Sequence, residues 1–285
     1  MAGRLNETAI WRLATGILGQ TALLTSLLLF FGWARTQATY AYFGVDLSLL
    51  DLSTTDYVLR SVNTAYSPLL LIGLASLVGV LLHRRLAASR WEAERVRKGV
   101  LAAGWVFVAL GVSALLWGDW ARQVGSWVPD EPGIAFAWLP ASLAIGFALL
   151  LYGTVAAPAG EGKRDASPQA TFAFVALLVL ALFWTVSLLA VHDGRARAKA
   201  IERDPRALPE VALLSKDVLL IRAPGVVATP LRVRGGRYTR SYAGLRLLAH
   251  ADGKYLLIPL TWRRGRDRVY SIADEPSVRI ELIAH

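Results

Sequence analysis

Five stretches of this chain carry no Asp, Glu, Lys or Arg, at residues 13–34, 61–82, 99–118, 132–160 and 166–192, and charge collects between them. They run for 22, 22, 20, 29 and 27 residues. A helix rises about 1.5 Å per residue, so roughly 18 to 20 residues cross about 30 Å of hydrocarbon. The pattern predicts five transmembrane helices, near 13–34, 61–82, 99–118, 134–157 and 169–191. A soluble bundle would keep a polar side on each helix, whereas these segments are apolar on every face. Trp11, Trp33, Trp117, Trp120 and Tyr152 fall near run ends, where interfacial aromatics collect, while Trp105, Trp138 and Trp184 lie deeper.

After Pro209 the period changes from helical to alternating. Val278, Ile280 and Leu282 alternate with Arg279 and Glu281, as in a strand with one buried face. LRLLAH, then Ala251-Asp252-Gly253, then KYLLIPLTW predicts a hairpin, because Asp-Gly supplies the positive φ values of a tight turn. Further strands are expected at 211–214, 217–222, 225–229, 231–234 and 268–273. The expected architecture is an α-helical membrane protein with a small C-terminal all-β domain, a sandwich or open barrel. Its parts are a five-helix transmembrane domain at 1–192, a polar connector at 193–207, and a basic β-rich domain at 208–285. The connector, DGRARAKAIERDPRA, is expected to extend the last helix as far as Pro205. A β domain this small leans on the membrane or on a partner for stability.

Between the first two runs, Ser53 and Asp56 resemble a capping box, and Asp56 and Arg60 stand at i,i+4 in the favourable order. A short amphipathic helix is expected from about Thr54, lying at headgroup level, with Pro68 in the first turn of the second span or kinking it. Gly104, Gly111 and Gly118 share one face of the third run, and Gly73 and Gly79 do so in the second, which predicts close helix packing within the chain or between protomers. Pro140 is expected to kink the fourth span, and Ser167-Pro168 to open the fifth.

Composition agrees with the pattern: 55% of residues are hydrophobic and mean hydropathy is +0.44, too apolar for an ordinary soluble chain. The net charge of +10 is uneven, with +2 in residues 1–191 and +8 in residues 192–285. Short loops on the N-terminal side of the membrane hold ten Lys and Arg, against three in the opposite loops. The positive-inside rule therefore places the N-terminus in the cytoplasm and, with five spans, the C-terminal domain outside it. Arg195, Arg197, Lys199, Arg203 and Arg206 oppose this assignment, although long domains cross largely regardless of charge. The first run exceeds the roughly 7–15 apolar residues of a signal peptide, so an uncleaved anchor is expected; cleavage near Ala38–Ala41 would leave four spans. Only five of the 31 basic residues are Lys, an Arg bias typical of GC-rich genomes that points to a bacterium, so a bacterial cell membrane is the expected location.

Chemistry is sparse. The chain has no Cys and none of the nucleophile-elbow, P-loop, dinucleotide or H-E-x-x-H patterns, so no catalytic residue, metal site or cofactor is assigned. His83, His192, His250 and His285 are scattered, and Asp46, Asp51 and Asp56 have no cation-loop spacing. The five runs contain no Asp, Glu, Lys or Arg, which disfavours ion-coupled transport. Two arginine groups stand out, Arg232, Arg234, Arg237 and Arg240, then Arg263, Arg264, Arg266 and Arg268. They suit anionic lipid headgroups, at about 1 kcal/mol each near the surface, or an anionic polymer, with a solvated basic face as the alternative. Nucleic acid is disfavoured outside the cell.

YFGVDLSLLDLSTTDYVLRS, YAGLRLL and KYLLIPLTW resemble segments of uncharacterised polytopic integral membrane proteins of actinobacteria such as streptomycetes. That resemblance implies the same layout and carries no activity or site residues. The expected role is non-catalytic, a sensor, anchor or assembly subunit with a membrane-protein partner or a second copy. The alternative is an oligomeric channel or passive permease lined by Gln20, Thr21, Thr25 and Ser26.

Overall fold

A computed structural model describes residues 21, 22, 25–50, 55–57, 70, 73, 74, 77–81, 84, 93–124, 138–156, 167–231 and 237–283. The chain divides into two compact units: Met1–Phe31 with Ser61–His192, and Gly32–Arg60 with Asp193–His285. The second unit therefore takes in residues 32–60, which the hydropathy pattern leaves with the membrane helices as their first outer loop.

Four long helices are described: α1 (residues 25–42), α2 (Ala93–Val124), α3 (Trp138–Leu151, continued by a π-turn at Tyr152–Ala156) and α4 (Pro168–Arg203). Among the described residues three helical stretches, not five, are long and apolar enough to cross a membrane: Glu94–Ser113, Trp138–Val155 and Pro168–Arg203. The expected runs 13–34 and 61–82 fall partly outside the described residues; residues 25–34 and 77–81 are helical.

In the first unit, glycines let α2 and α3 approach at backbone distance. A Cβ on Gly104 would lie 2.9 Å from Leu150 Cγ and 3.2 Å from the Gly146 carbonyl, and one on Gly111 would lie 2.5 Å from Leu143 Cγ. Gly146 and Gly153 on the α3 side answer Val108 and Leu101 in the same way. Gly118 follows on α2, whereas Gly73 and Gly79 face open space: a Cβ on either would meet nothing within 4 Å among the described residues. Leu143 and Ala144 of α3 pack with Ala181 of α4. Outward, α2 exposes Trp105, Val106, Leu110 and Leu116, and α4 exposes Phe172 and Leu180.

Pro140 is the third described residue of α3, and residues 125–137 before it lie outside the described residues, so the kink expected there falls at their edge. Ser167-Pro168 does open α4: Pro168 is its first residue and Ser167 Oγ accepts from Ala170 N at 3.2 Å.

In the second unit, α1 runs to residue 42 instead of ending at 34, and it accommodates Thr36 and Thr39 by letting their hydroxyls donate to the Gly32 and Arg35 carbonyls one turn back. It stops at Gly44 (φ +73°): Gly44 N donates to Ala41 O at 3.1 Å and Val45 N to Tyr40 O at 3.0 Å. That is a Schellman cap, with Val45 and Tyr40 both buried. A 3-10 turn at Leu47–Leu49 follows, its first turn capped by Asp46, which accepts from Ser48 N at 2.8 Å. Thr55, Asp56 and Tyr57 are helical, while Ser53 and Thr54 lie outside the described residues.

The connector is not merely polar. Gly194, Ala198 and Ile201 of α4 are buried while Ala196, Arg197, Ala200 and Arg203 are exposed, an amphipathic stripe of small residues. Gly194 lies against the Arg35 carbonyl, and Arg35 pairs with Asp193.

The C-terminal residues form one antiparallel sheet in the order β5-β4-β3-β1-β6, with β2 also on β3. Its strands are β1 (Glu210–Ser215), β2 (Val227–Pro230), β3 (Arg240–Ala251), β4 (Lys254–Pro259), β5 (Tyr270–Ala273) and β6 (Val278–Ile283). Along one edge β3 pairs first with β2 and then with β4, and the switch falls at Gly244 (φ +83°), whose α-carbon abuts the Gly225 carbonyl. Asp252 and Gly253, at φ 50° and 62°, make the tight turn of the β3-β4 hairpin.

The sheet is neither a sandwich nor a barrel. One face buries Leu256, Ile258 and Trp262 under Tyr40, Phe43, Val45, Leu50, Ala198 and Ile201, so its second layer is helical. The other face gathers Val211, Leu213, Tyr242, Leu245 and Leu257, flanked by Leu219, Ile221 and Val226. β4 is buried on both faces, which is why LLIP reads as an unbroken apolar run. Segment 217–222 is not a strand: the Tyr242 hydroxyl accepts from Leu219 N at 2.7 Å and donates to Leu219 O at 2.9 Å, taking the groups a ladder would use. Of the expected strand 231–234, residues 232–234 lie outside the described residues.

Candidate functional site

The C-terminal end of α4 and the loop after β4 build a basic cleft inside the second unit. Asp204 ends the helix, its N donating to Ala200 O, and its carboxylate accepts from Arg206 N at 3.2 Å as Pro205 starts a 3-10 turn. Opposite, residues 260–268 fold back through Gly265 (φ +75°). Asp267 organises this turn: its Oδ2 accepts from Arg263 N at 2.8 Å and from Arg266 Nη2 at 2.8 Å. Its carboxyl is held below the ordinary Asp value, chiefly by the Arg266 hydrogen bond against the opposing effect of burial, with help from Arg263 N–H and both guanidinium charges.

Arginines of that loop are spent on the unit's own backbone. Arg263 Nη1 donates to the Glu202 carbonyl at 2.6 Å, satisfying a C-terminal carbonyl of α4, and Arg264 N donates to Glu202 Oε1 at 2.9 Å. The Glu202 carboxylate also accepts from the Tyr42 hydroxyl, and the Arg264 guanidinium sits 4.5 Å above the Tyr42 ring. Arg266 Nη2 donates to Thr261 O at 2.8 Å. A cleft of about 510 Å³ opens here, lined by Arg203, Asp204, Arg206, Thr261, Arg263 and Arg266 among others.

The two expected arginine groups fare unequally. Arg263 and Arg266 line the cleft, Arg264 stacks on Tyr42, and Arg268 is exposed. Arg237 is exposed and Arg240 begins β3, half-buried, while Arg232 and Arg234 lie outside the described residues. In the sequence Arg203 and Arg206 stand out only as charges opposing an outward-facing domain. About sixty residues separate them from Arg263 and Arg266, and no local pattern joins such distant positions.

No other chemistry assembles among the described residues. No group of three His, Asp or Glu side chains could hold a metal ion there. His192 is exposed, and His250 stacks on Tyr255 at 4.1 Å. Thr25 and Ser26, candidates for a pore lining, donate to the Thr21 and Ala22 carbonyls of their own helix, at 2.9 and 2.8 Å. No family model, curated protein or solved structure matches this chain.

Proposed function

We propose that the chain is a bacterial plasma-membrane protein of five spans that holds a compact sheet-and-helix unit on the outer side, acting without catalysis as a sensor, anchor or assembly subunit. The observation that carries this is the shared core of residues 40–50 with residues 198–262. Segments that pack together stand on the same side of any membrane, so an even number of crossings must separate residue 60 from residue 193. Three stretches that begin between them are long and apolar enough, the last with its uncharged part ending at residue 192, and the 22-residue uncharged run at 61–82 supplies a fourth. With the helix before residue 42, the total is five. The loop charge of ten against three then orients the unit outward.

The chain has no cysteine, so one introduced thiol is unique. Ser48→Cys and Ser271→Cys replace exposed residues in the two segments of the unit. Both should react with a membrane-impermeant maleimide in intact cells. Labelling of one from outside and the other only after permeabilisation would refute the shared side, and protection of both until permeabilisation would refute the outward orientation.

A further inference from the structure

Positive charge in the cleft at the end of α4 is only partly balanced. Four guanidinium groups, of Arg203, Arg206, Arg263 and Arg266, line it, and Asp204 is the one carboxylate among the lining residues. Arg263 and Arg266 are fixed in place by the Glu202 and Thr261 carbonyls and by Asp267. Arg203 and Arg206 are exposed and make no side-chain hydrogen bond or ion pair among the described residues. The cleft thus offers two pre-oriented cations and two unused guanidinium forks around one space.

We propose that this cleft binds a phosphomonoester. A carboxylate matches a single fork, whereas a phosphomonoester carries close to two negative charges at pH 7 and three acceptor oxygens, enough for two forks at once. The volume, about 510 Å³, lies within the range of small-molecule sites and leaves room for the group that bears the phosphate. The same chemistry is offered by a soluble phosphate ester and by a phosphatidic acid headgroup. Binding here requires neither orientation of the unit, so it stands apart from the topology above.

The test uses the full chain. Glycerol phosphate is titrated calorimetrically into the detergent-solubilised protein, and thermal stability is compared in phosphatidylcholine nanodiscs with and without phosphatidic acid. Saturable binding is expected, and Arg203→Gln and Arg206→Gln, both solvent-exposed, should each weaken it roughly tenfold. Arg279→Gln on β6, outside the cleft, should leave it unchanged. A response to glycerol phosphate identifies a soluble ester, and a response to phosphatidic acid alone identifies the headgroup. No saturable response in either arm, or one that survives both cleft substitutions, overturns the proposal.

Discussion

Removing the Phe43 ring should loosen the sheet that ends the chain, although some two hundred residues separate Phe43 from β4. Phe43 is only 6% exposed, and its ring centroid lies 4.6 Å from that of Trp262 at an interplanar angle of 50°. A buried aromatic side chain withdraws about 150–250 Å² from water, worth about 4–6 kcal/mol at about 25 cal/mol per Å². Because the unfolded chain already hides part of that area, about 4 kcal/mol is the better expectation for Phe43→Ala, in line with core truncations of this type. At about 1.4 kcal/mol per tenfold, amides of Leu256, Leu257 and Ile258 in β4 should exchange with solvent on the order of a hundred- to a thousandfold faster.

Hydrogen exchange read by mass spectrometry on the full chain in nanodiscs measures this directly. Phe172→Ala is the control, since Phe172 is 76% exposed on α4 and its loss should change β4 exchange by less than about twofold. Trp262→Ala and the double variant complete a cycle in which the two rings should couple by about 1 kcal/mol. If Phe43→Ala accelerates β4 exchange less than about fivefold, residues 32–60 do not support the sheet, and the shared-side argument loses its basis.

Three further outcomes follow from the same packing. Gly111→Leu should lower the thermal midpoint of the detergent-solubilised protein, costing about 1–3 kcal/mol because a Cβ there would stand 2.5 Å from Leu143 Cγ, whereas Gly99→Leu, with nothing within 4 Å, should be nearly neutral. Arg246 Nη2 lies 3.0 Å from Glu210 Oε2 with its side chain 6% exposed, so Glu210→Ala should cost about 3–5 kcal/mol in chemical denaturation, and Arg246→Met with Glu210→Leu should recover most of it. Asp267 titrates below the ordinary 3.8 in the folded chain, so its stabilisation is complete above that value and is lost as pH falls through the folded pKa. Asp267→Asn should therefore lower stability at neutral pH and flatten the acid limb of a melting-temperature profile taken from about pH 5 to pH 2.

Local pattern determined much of this protein. Uncharged runs locate α2, α3 and α4, Ser167-Pro168 marks where α4 starts, Asp252-Gly253 marks the hairpin, and alternation at 278–282 marks β6. Each of these depends on residues within one or two turns, or within one strand, of each other. Even the end of α1 was written locally, as Tyr40 through Val45 with Gly44 at the positive-φ position, but the Thr and Tyr residues before it read as loop. Residues 217–222 look like a strand and are not one, because a tyrosine more than twenty positions away takes the backbone groups of Leu219.

Only the tertiary structure decided the rest. That Tyr40, Phe43 and Leu50 cover Leu256, Ile258 and Trp262 depends on two segments meeting across the whole helical part of the chain, a juxtaposition without a period. The basic cleft has the same origin. Four arginines that look like two unrelated charge clusters become one site because α4 stops at Asp204 and the loop after β4 folds back onto its last carbonyls. Residue type sets which face of an element seeks burial, and the fold alone sets which distant face it finds.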